Sequence, residues 1–392
     1  MNEGTAADVT AAHGGRSRQS KKHSKTYRSI SAILSWLTAR RPTTLSTSLR
    51  ARFLPYLLTI AIAWLPWLIL TWPGSMRDDT LAQYLQSSGL HHYYTQHPLF
   101  DTLTFGLFWH IGSALGSPLI GQALYTVTQA VLLAAGCALL LCYIRKIGSP
   151  RWLIGLGLVY LATNYVVVGA ITTMGKDSLH AVFYLPLAVL FVEACLTRGS
   201  VLARRPVAFA FVILLFATIV SKRTALIIVR CADYLFTPSY LRQWASFLSE
   251  GAWKHTSDGD ADTVAAERLA AIEHDLAPLR GTSDKPQWQK NILRAIHRWA
   301  RSDGRVGVRK GNPLTSMALY VTWIPLAAGL ALVVRPARRR YGPALAAYGL
   351  LAFTVLSLYA SPVALFWYPI PVFLTLPLFV VLPFTFRESH PL

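Results

Sequence analysis

The sequence predicts an all-α, polytopic integral membrane protein, and three observations carry that prediction. Of the 392 residues 53% are hydrophobic and only 14% charged, a balance that suits a surface facing lipid rather than water. The apolar residues gather in runs long enough to cross a hydrocarbon core about 30 Å thick. The 38 Lys and Arg outnumber the 18 Asp and Glu, and the excess falls between those runs, as in cytoplasmic loops. The net charge of +20 is therefore a topology signal. A nucleic-acid partner would call for basic and aromatic residues interleaved on a soluble domain, and the sequence has no such pattern.

Residues 1–52 are basic, rich in Ser and Thr, and too poor in apolar residues to form a core. They read as a disordered cytoplasmic tail with no signal-peptide centre, though 29–39 could form a short helix with Ile30, Ile33, Leu34 and Leu37 on one side. With the tail inside, 53–72 runs outward and 73–98 is an extracytoplasmic loop. Residues 99–115 are apolar, but counting them as a span would leave Arg145, Lys146 and Arg151 outside, and Asp101 and His110 fit poorly against lipid. They are predicted to lie along the outer surface. Residues 118–143 then go in, 152–171 go out, 172–178 turn, and 179–196 return to Arg198, Arg204 and Arg205. The run 206–220 goes out to Ser221-Lys222-Arg223, completing most of an N-terminal membrane module, 53–236, whose last segment is short and interfacial or re-entrant.

Residues 237–313 form the one long polar region, expected as a small extracytoplasmic helical insertion. Inside it, 286–301 carries an apolar stripe, Trp288, Ile292, Ile296 and Trp299, with Lys290, Arg294, Arg298 and Arg301 beside or opposite it. Such a helix suits either a membrane surface or the insertion's own core. The C-terminal membrane helices, within 314–392, comprise 314–334, which meets Arg335, Arg338, Arg339 and Arg340, then 343–360, then 363–386. Pro362, Pro369, Pro371, Pro377 and Pro383 predict a kinked last passage. The total is about eight spans with both termini cytoplasmic. Cys137, Cys142, Cys195 and Cys231 have no metal-ligand spacing and read as small core residues.

Candidate chemistry concentrates in the first outer loop. Pro73-Gly74 ends the first span, and Ser75-x-x-Asp78 has the form of a capping box that would start a new helix. Asp78 thus has a structural role and a chemical one open to it. Asp79 shares a face with Gln83, four residues on, and is the first candidate for chemistry. His91, His92 and His97 match no standard zinc spacing and read as interfacial, hydrogen-bonded histidines, with His97-Pro98 opening the surface helix. On the same outer face Lys176 precedes a helix expected near Ser178, where a cation and a helix N-terminus together attract a phosphate. Two roles are open to Asp177, capping that helix and pairing with Lys176. Lys222 and Arg223 supply two more cations.

Pro73-Gly74, Asp79-Thr80, Gln83, His97-Pro98 and Lys176-Asp177, in this order over roughly 53–223, resemble an uncharacterised bacterial membrane family, domain of unknown function 6020. That family is itself similar to the GT-C glycosyltransferases, which use polyprenyl-phosphate sugars as donors. The resemblance implies a bacterial plasma-membrane enzyme. Asp79, with Asp78 beside it, would be the general base or a ligand of a divalent metal. Lys176 and Arg223 would stabilise the leaving lipid phosphate, with Lys222, His97 and Gln83 as further candidates for substrate or phosphate binding. The chain departs from the family pattern at Trp367-Tyr368, where an Arg-Tyr is expected, and in the small size of its outer insertion. Two other classes fit the composition: a transporter or lipid flippase built around the proline-rich last passage, and a non-catalytic envelope-assembly protein.

Overall fold

In a bilayer a chain has no water to satisfy its backbone, so apolar runs become helices and any departure from helix needs a partner within the protein. The computed structural model follows this rule, and it describes residues 31–32, 34–39, 44–76, 78–87, 98–222, 285–300, 315–334, 338–359 and 367–385. In chain order they form α1 (Leu45–Thr71), β1 (Ser75–Met76), α2 (Asp78–Gln86), α3 (Leu99–Ala114), α4 (Pro118–Lys146), α5 (Arg151–Thr163), α6 (Tyr165–Thr172), β2 (Thr173–Met174), α7 (Lys176–Leu196) and α8 (Arg205–Val220). Beyond 284 come α9 (Gln287–Ala300), a π-helical turn (Leu319–Trp323) running into α10 (Ile324–Val334), α11 (Arg338–Tyr359) and α12 (Ile370–Val381). Four helices are long and apolar enough to cross a membrane: α1, α4, α7 and the Gly342–Tyr359 part of α11. The α5–α6 pair makes a fifth if its two pieces are one span. Three further apolar helices, Arg205–Val220, Leu319–Val334 and Ile370–Phe384, are shorter.

The helices run between two ends of one bundle. At one end Ser48 of α1 donates to the Cys142 carbonyl of α4 at 3.0 Å. At the other, Gly74 lies against Gln122 and Thr126, so α1 and α4 are antiparallel. The first end is basic. There Glu193 of α7 accepts from Tyr143 at 2.9 Å and from Lys146 at 2.5 Å. The second end carries the strand pair. The core runs along α4 through Leu133, Cys137 and Leu140, and meets Trp64 of α1, Leu185 of α7 and Phe373 of α12. Every residue of α12 from Ile370 to Phe379 is buried, whereas α1 exposes Leu54, Leu58, Ile62, Leu65 and Ile69 along one side. An interior helix apolar all round and a peripheral helix with an apolar outer stripe are what a lipid-facing bundle requires.

Several expectations need correcting in detail. The first span begins at Leu45, two turns into the predicted tail, with Thr44 accepting from the Thr47 N–H. Residues 152–171 are not one straight helix. Asn164 leaves helical geometry with ψ 127°, and its Oδ1 accepts from Val166 and Val167, so a new helix starts at a 49° bend. The helix at 99–115 forms as predicted but is only 16 residues long, and it is not among the candidate spans. The expected helix at 286–301 is present as α9. The rest of 237–313 lies outside the described residues.

Packing of α3 on α4 depends on two glycines. A methyl on Gly112 would run into the Gly121 backbone, and one on Gly121 would run into the Phe108 carbonyl. Small residues let the two backbones approach this closely. Gly121→Ala is therefore expected to cost about 1–3 kcal/mol and to lower the thermal unfolding midpoint in detergent. Gly155→Ala, which meets nothing within 4 Å, is expected to leave it unchanged or slightly raised.

Candidate functional site

The first loop and the turn before α7 are joined by a parallel ladder of two residues, Ser75 opposite Thr173 and Met76 opposite Met174. Ser75 Oγ adds contacts to the Thr172 carbonyl at 3.3 Å and to Thr173 Oγ1 at 3.0 Å. Gln129, buried in α4, supports the turn from below. Its Nε2 donates towards the carbonyls of Ala170, Ile171 and Thr173 at 2.9, 3.2 and 3.0 Å, while Tyr125 donates to its Oε1 at 2.9 Å and fixes the amide's orientation. Gly74 enters the strand with φ 122°, and any side chain there would collide with Thr126. Met76 and Met174 pack with Tyr84, Phe105, Trp109 and Leu179 beneath α2 and α3.

This ladder overturns the capping-box reading. Ser75 is a strand residue paired to Thr173, and α2 starts at Asp78, so Asp78 is the first helical residue rather than the fourth position of a box. Asp78 and Asp79 occupy the first turn of α2, beside the start of α7. Their side chains, together with His91, His92, His97 and Arg223, lie outside the described residues. Gln83 is buried, and its Nε2 donates to Thr102 Oγ1 at 3.0 Å, which ties α2 to α3. Lys176 is the first residue of α7, because Gly175 rather than a later residue is its N-cap. Asp177 pairs with Lys222 at 2.9 Å. Lys222 Nζ also donates to the Tyr368 carbonyl at 3.3 Å and stands 5.3 Å from the Tyr368 ring centroid. Just before it, Ser221 Oγ and His180 Nδ1 lie 3.0 Å apart, fixing the chain where α8 ends. Tyr368 thus supplies both a carbonyl and a ring to the Lys222 cation, next to Trp367, which stands where the family resemblance calls for an Arg.

A residue that sequence reasoning used only to argue topology joins this group. Asp101, in the first turn of α3, is fully buried, and neither carboxylate oxygen has a hydrogen-bond partner among the described residues. Burial pushes its carboxyl up to about 9; the Asp177 charge adds to the rise, and Lys176 and Lys222 oppose it. Asp101 is therefore protonated at neutral pH, a neutral donor beside Lys176, Asp177 and Lys222. The signal available in the sequence was one acidic residue three positions after Pro98 in an otherwise apolar helix. Periodicity could not say whether it faced lipid, water or the bundle.

Among the described residues no group of three or more His, Cys, Asp or Glu is placed to hold a metal ion. Cys137 and Cys142 are buried and Cys195 half-buried, all as free thiols. No protein-family model, no curated protein and no solved structure matches the chain.

A carboxyl whose proton affinity is raised by folding stabilises the fold below the ordinary carboxylate range, and that contribution is lost as pH rises towards about 9. Stability of the wild type is thus expected to fall between pH 5 and pH 9. Asp101→Asn, which keeps the shape and cannot ionise, is expected to unfold at a higher temperature than wild type at pH 9 and to lose that advantage at pH 5. Thermal unfolding in detergent at the two pH values measures this.

Proposed function

We propose that the chain is a GT-C-like glycosyltransferase of the bacterial plasma membrane, crossing it about eight times with both termini inside. It would move a sugar from a polyprenyl phosphate to a cell-envelope acceptor at the outer leaflet. One observation carries the reading: the strand pair sets the first turn of α2, with Asp78 and Asp79, beside the N-terminus of α7, where Lys176 and Lys222 gather. A potential base and a cation cluster at one end of an apolar bundle suit a donor whose tail lies in lipid and whose phosphate lies at the interface.

In the proposed reaction an acceptor hydroxyl oxygen attacks the anomeric carbon and its proton passes to Asp79. The bond from that carbon to the phosphate oxygen breaks, and the electron pair leaves with the polyprenyl phosphate. Lys176 and Arg223 would meet the charge that develops on this oxygen, with the backbone N–H groups of the first α7 turn adding to them. Lys222 is shared with Asp177, so its part is to hold the cluster in place as much as to bind phosphate. A flippase built around the proline-rich last passage would need a substrate path along it, whereas α12 is buried without a break from Ile370 to Phe379.

The test uses the purified protein in nanodiscs with an extracted pool of polyprenyl-phosphate sugars, read by mass spectrometry. Wild type is expected to retain and consume one donor. Asp79→Asn should keep the donor but lose about 10²–10⁴-fold in turnover. Lys176→Ala should weaken both. Folded wild type that consumes no donor would reject the transferase, and Asp79→Asn with full turnover would reject its base.

A further inference from the structure

The helix α9 belongs to none of the chemistry above, yet it is fastened to a definite place. Lys285, two residues before it, donates to the Thr71, Trp72 and Gly74 carbonyls at 2.5, 2.8 and 3.2 Å, where α1 ends and has no helical partners left to offer. Gln289, buried, donates to the Ile69 carbonyl at 2.8 Å. These contacts fix α9 at the level where the exposed apolar stripe of α1 finishes, at Ile69 and Trp72.

Around α9 the side chains divide into three faces. Gln289 and Leu293 turn towards the bundle, and Leu293 is half-buried. Trp288, Ile292 and Trp299 are 49%, 41% and 53% exposed and share one side, so α9 carries an apolar stripe of its own. Lys290, Arg294 and Arg298 lie on the far side from that stripe, and residues 285–300 contain no acidic residue. Tryptophans favour the boundary between hydrocarbon and headgroups, where the ring is dry and the indole N–H is wet. A basic polar face is attracted to anionic headgroups within about a Debye length.

We propose that α9 is an interfacial anchor that lies in the headgroup layer of the leaflet at the strand-pair end and recruits anionic phospholipid. The occupant of its apolar stripe is the bilayer, because α9 is fastened where the exposed apolar stripe of α1 ends and because the charge of the segment is wholly basic. The assignment stands independently of the transferase reading.

The full-length protein is reconstituted in vesicles of phosphatidylcholine with or without phosphatidylglycerol, with a nitroxide on Ile292→Cys or on Arg294→Cys. Signals are compared with identically treated wild type. The label at 292 is expected to be relaxed by dissolved oxygen more than by a water-soluble nickel chelate, and the label at 294 the reverse. The combined Lys290→Glu, Arg294→Glu, Arg298→Glu variant is expected to lose enrichment of phosphatidylglycerol among bound lipids by about tenfold or more. A label at 292 that is immobile and shielded from both reagents would overturn the proposal. It would point to a second copy if light scattering gives a dimer, and to a segment of the same chain if it gives a monomer. A water-exposed label at 292 would also overturn it, and unchanged lipid enrichment would remove the anionic preference.

Discussion

Backbone that leaves a helix inside an apolar bundle must find its hydrogen bonds from side chains, and at the strand-pair end one amide does most of this. Gln129 offers its N–H groups to the carbonyls of Ala170 and Ile171 in the last turn of α6 and of Thr173 just after it, and Tyr125 holds the other side of the amide. Without such a partner, carbonyls freed at the end of α6 would be stranded in a place water does not reach, at a cost of about 1–3 kcal/mol each. With it, the chain can run extended for two residues, accept Ser75 and Met76 as a parallel neighbour, and restart as α7 at Lys176. Two stretches almost a hundred residues apart in sequence thereby become one floor for the site.

The neighbourhood built on that floor is unusual in its charge. Asp177 and Lys222 neutralise one another, Lys176 opens the helix beside them, and Asp101 sits fully buried among these groups as a neutral acid. Asp78 and Asp79 open α2 close by, so acids and bases meet in this neighbourhood. An anion entering it would meet a helix N-terminus and cations already held in position, rather than long side chains that must be ordered on arrival.

Much of this architecture was legible in the sequence, and the line between what was and was not is physical. Long apolar runs announced α1, α4, α7 and α11 to within a few residues at most ends, because a bilayer imposes their length. The 3.6-residue rhythm of Trp288, Ile292, Ile296 and Trp299 announced α9. Partners were hidden. Ser75 looked like a helix cap, since a Ser three residues before an Asp carries no sign that Thr173 is waiting across a ladder. Asp177 had two partners on offer nearby in sequence and took Lys222 instead. Asn164 sat inside an apolar stretch and bent it by capping from within. Asp101 was visible as a misfit, yet only three-dimensional packing decides whether a misfit faces lipid or a cluster of charges.

Lys222 has one further consequence, which concerns the order of synthesis. Its ammonium is held by Asp177 near the start of α7 and by the carbonyl and ring of Tyr368, just before α12. The first of these is made before the lysine itself, the second only when most of the chain has been translated. During insertion, Lys222 therefore waits with half of its final environment, and the charged cluster reaches its resting arrangement only as the last helix packs in.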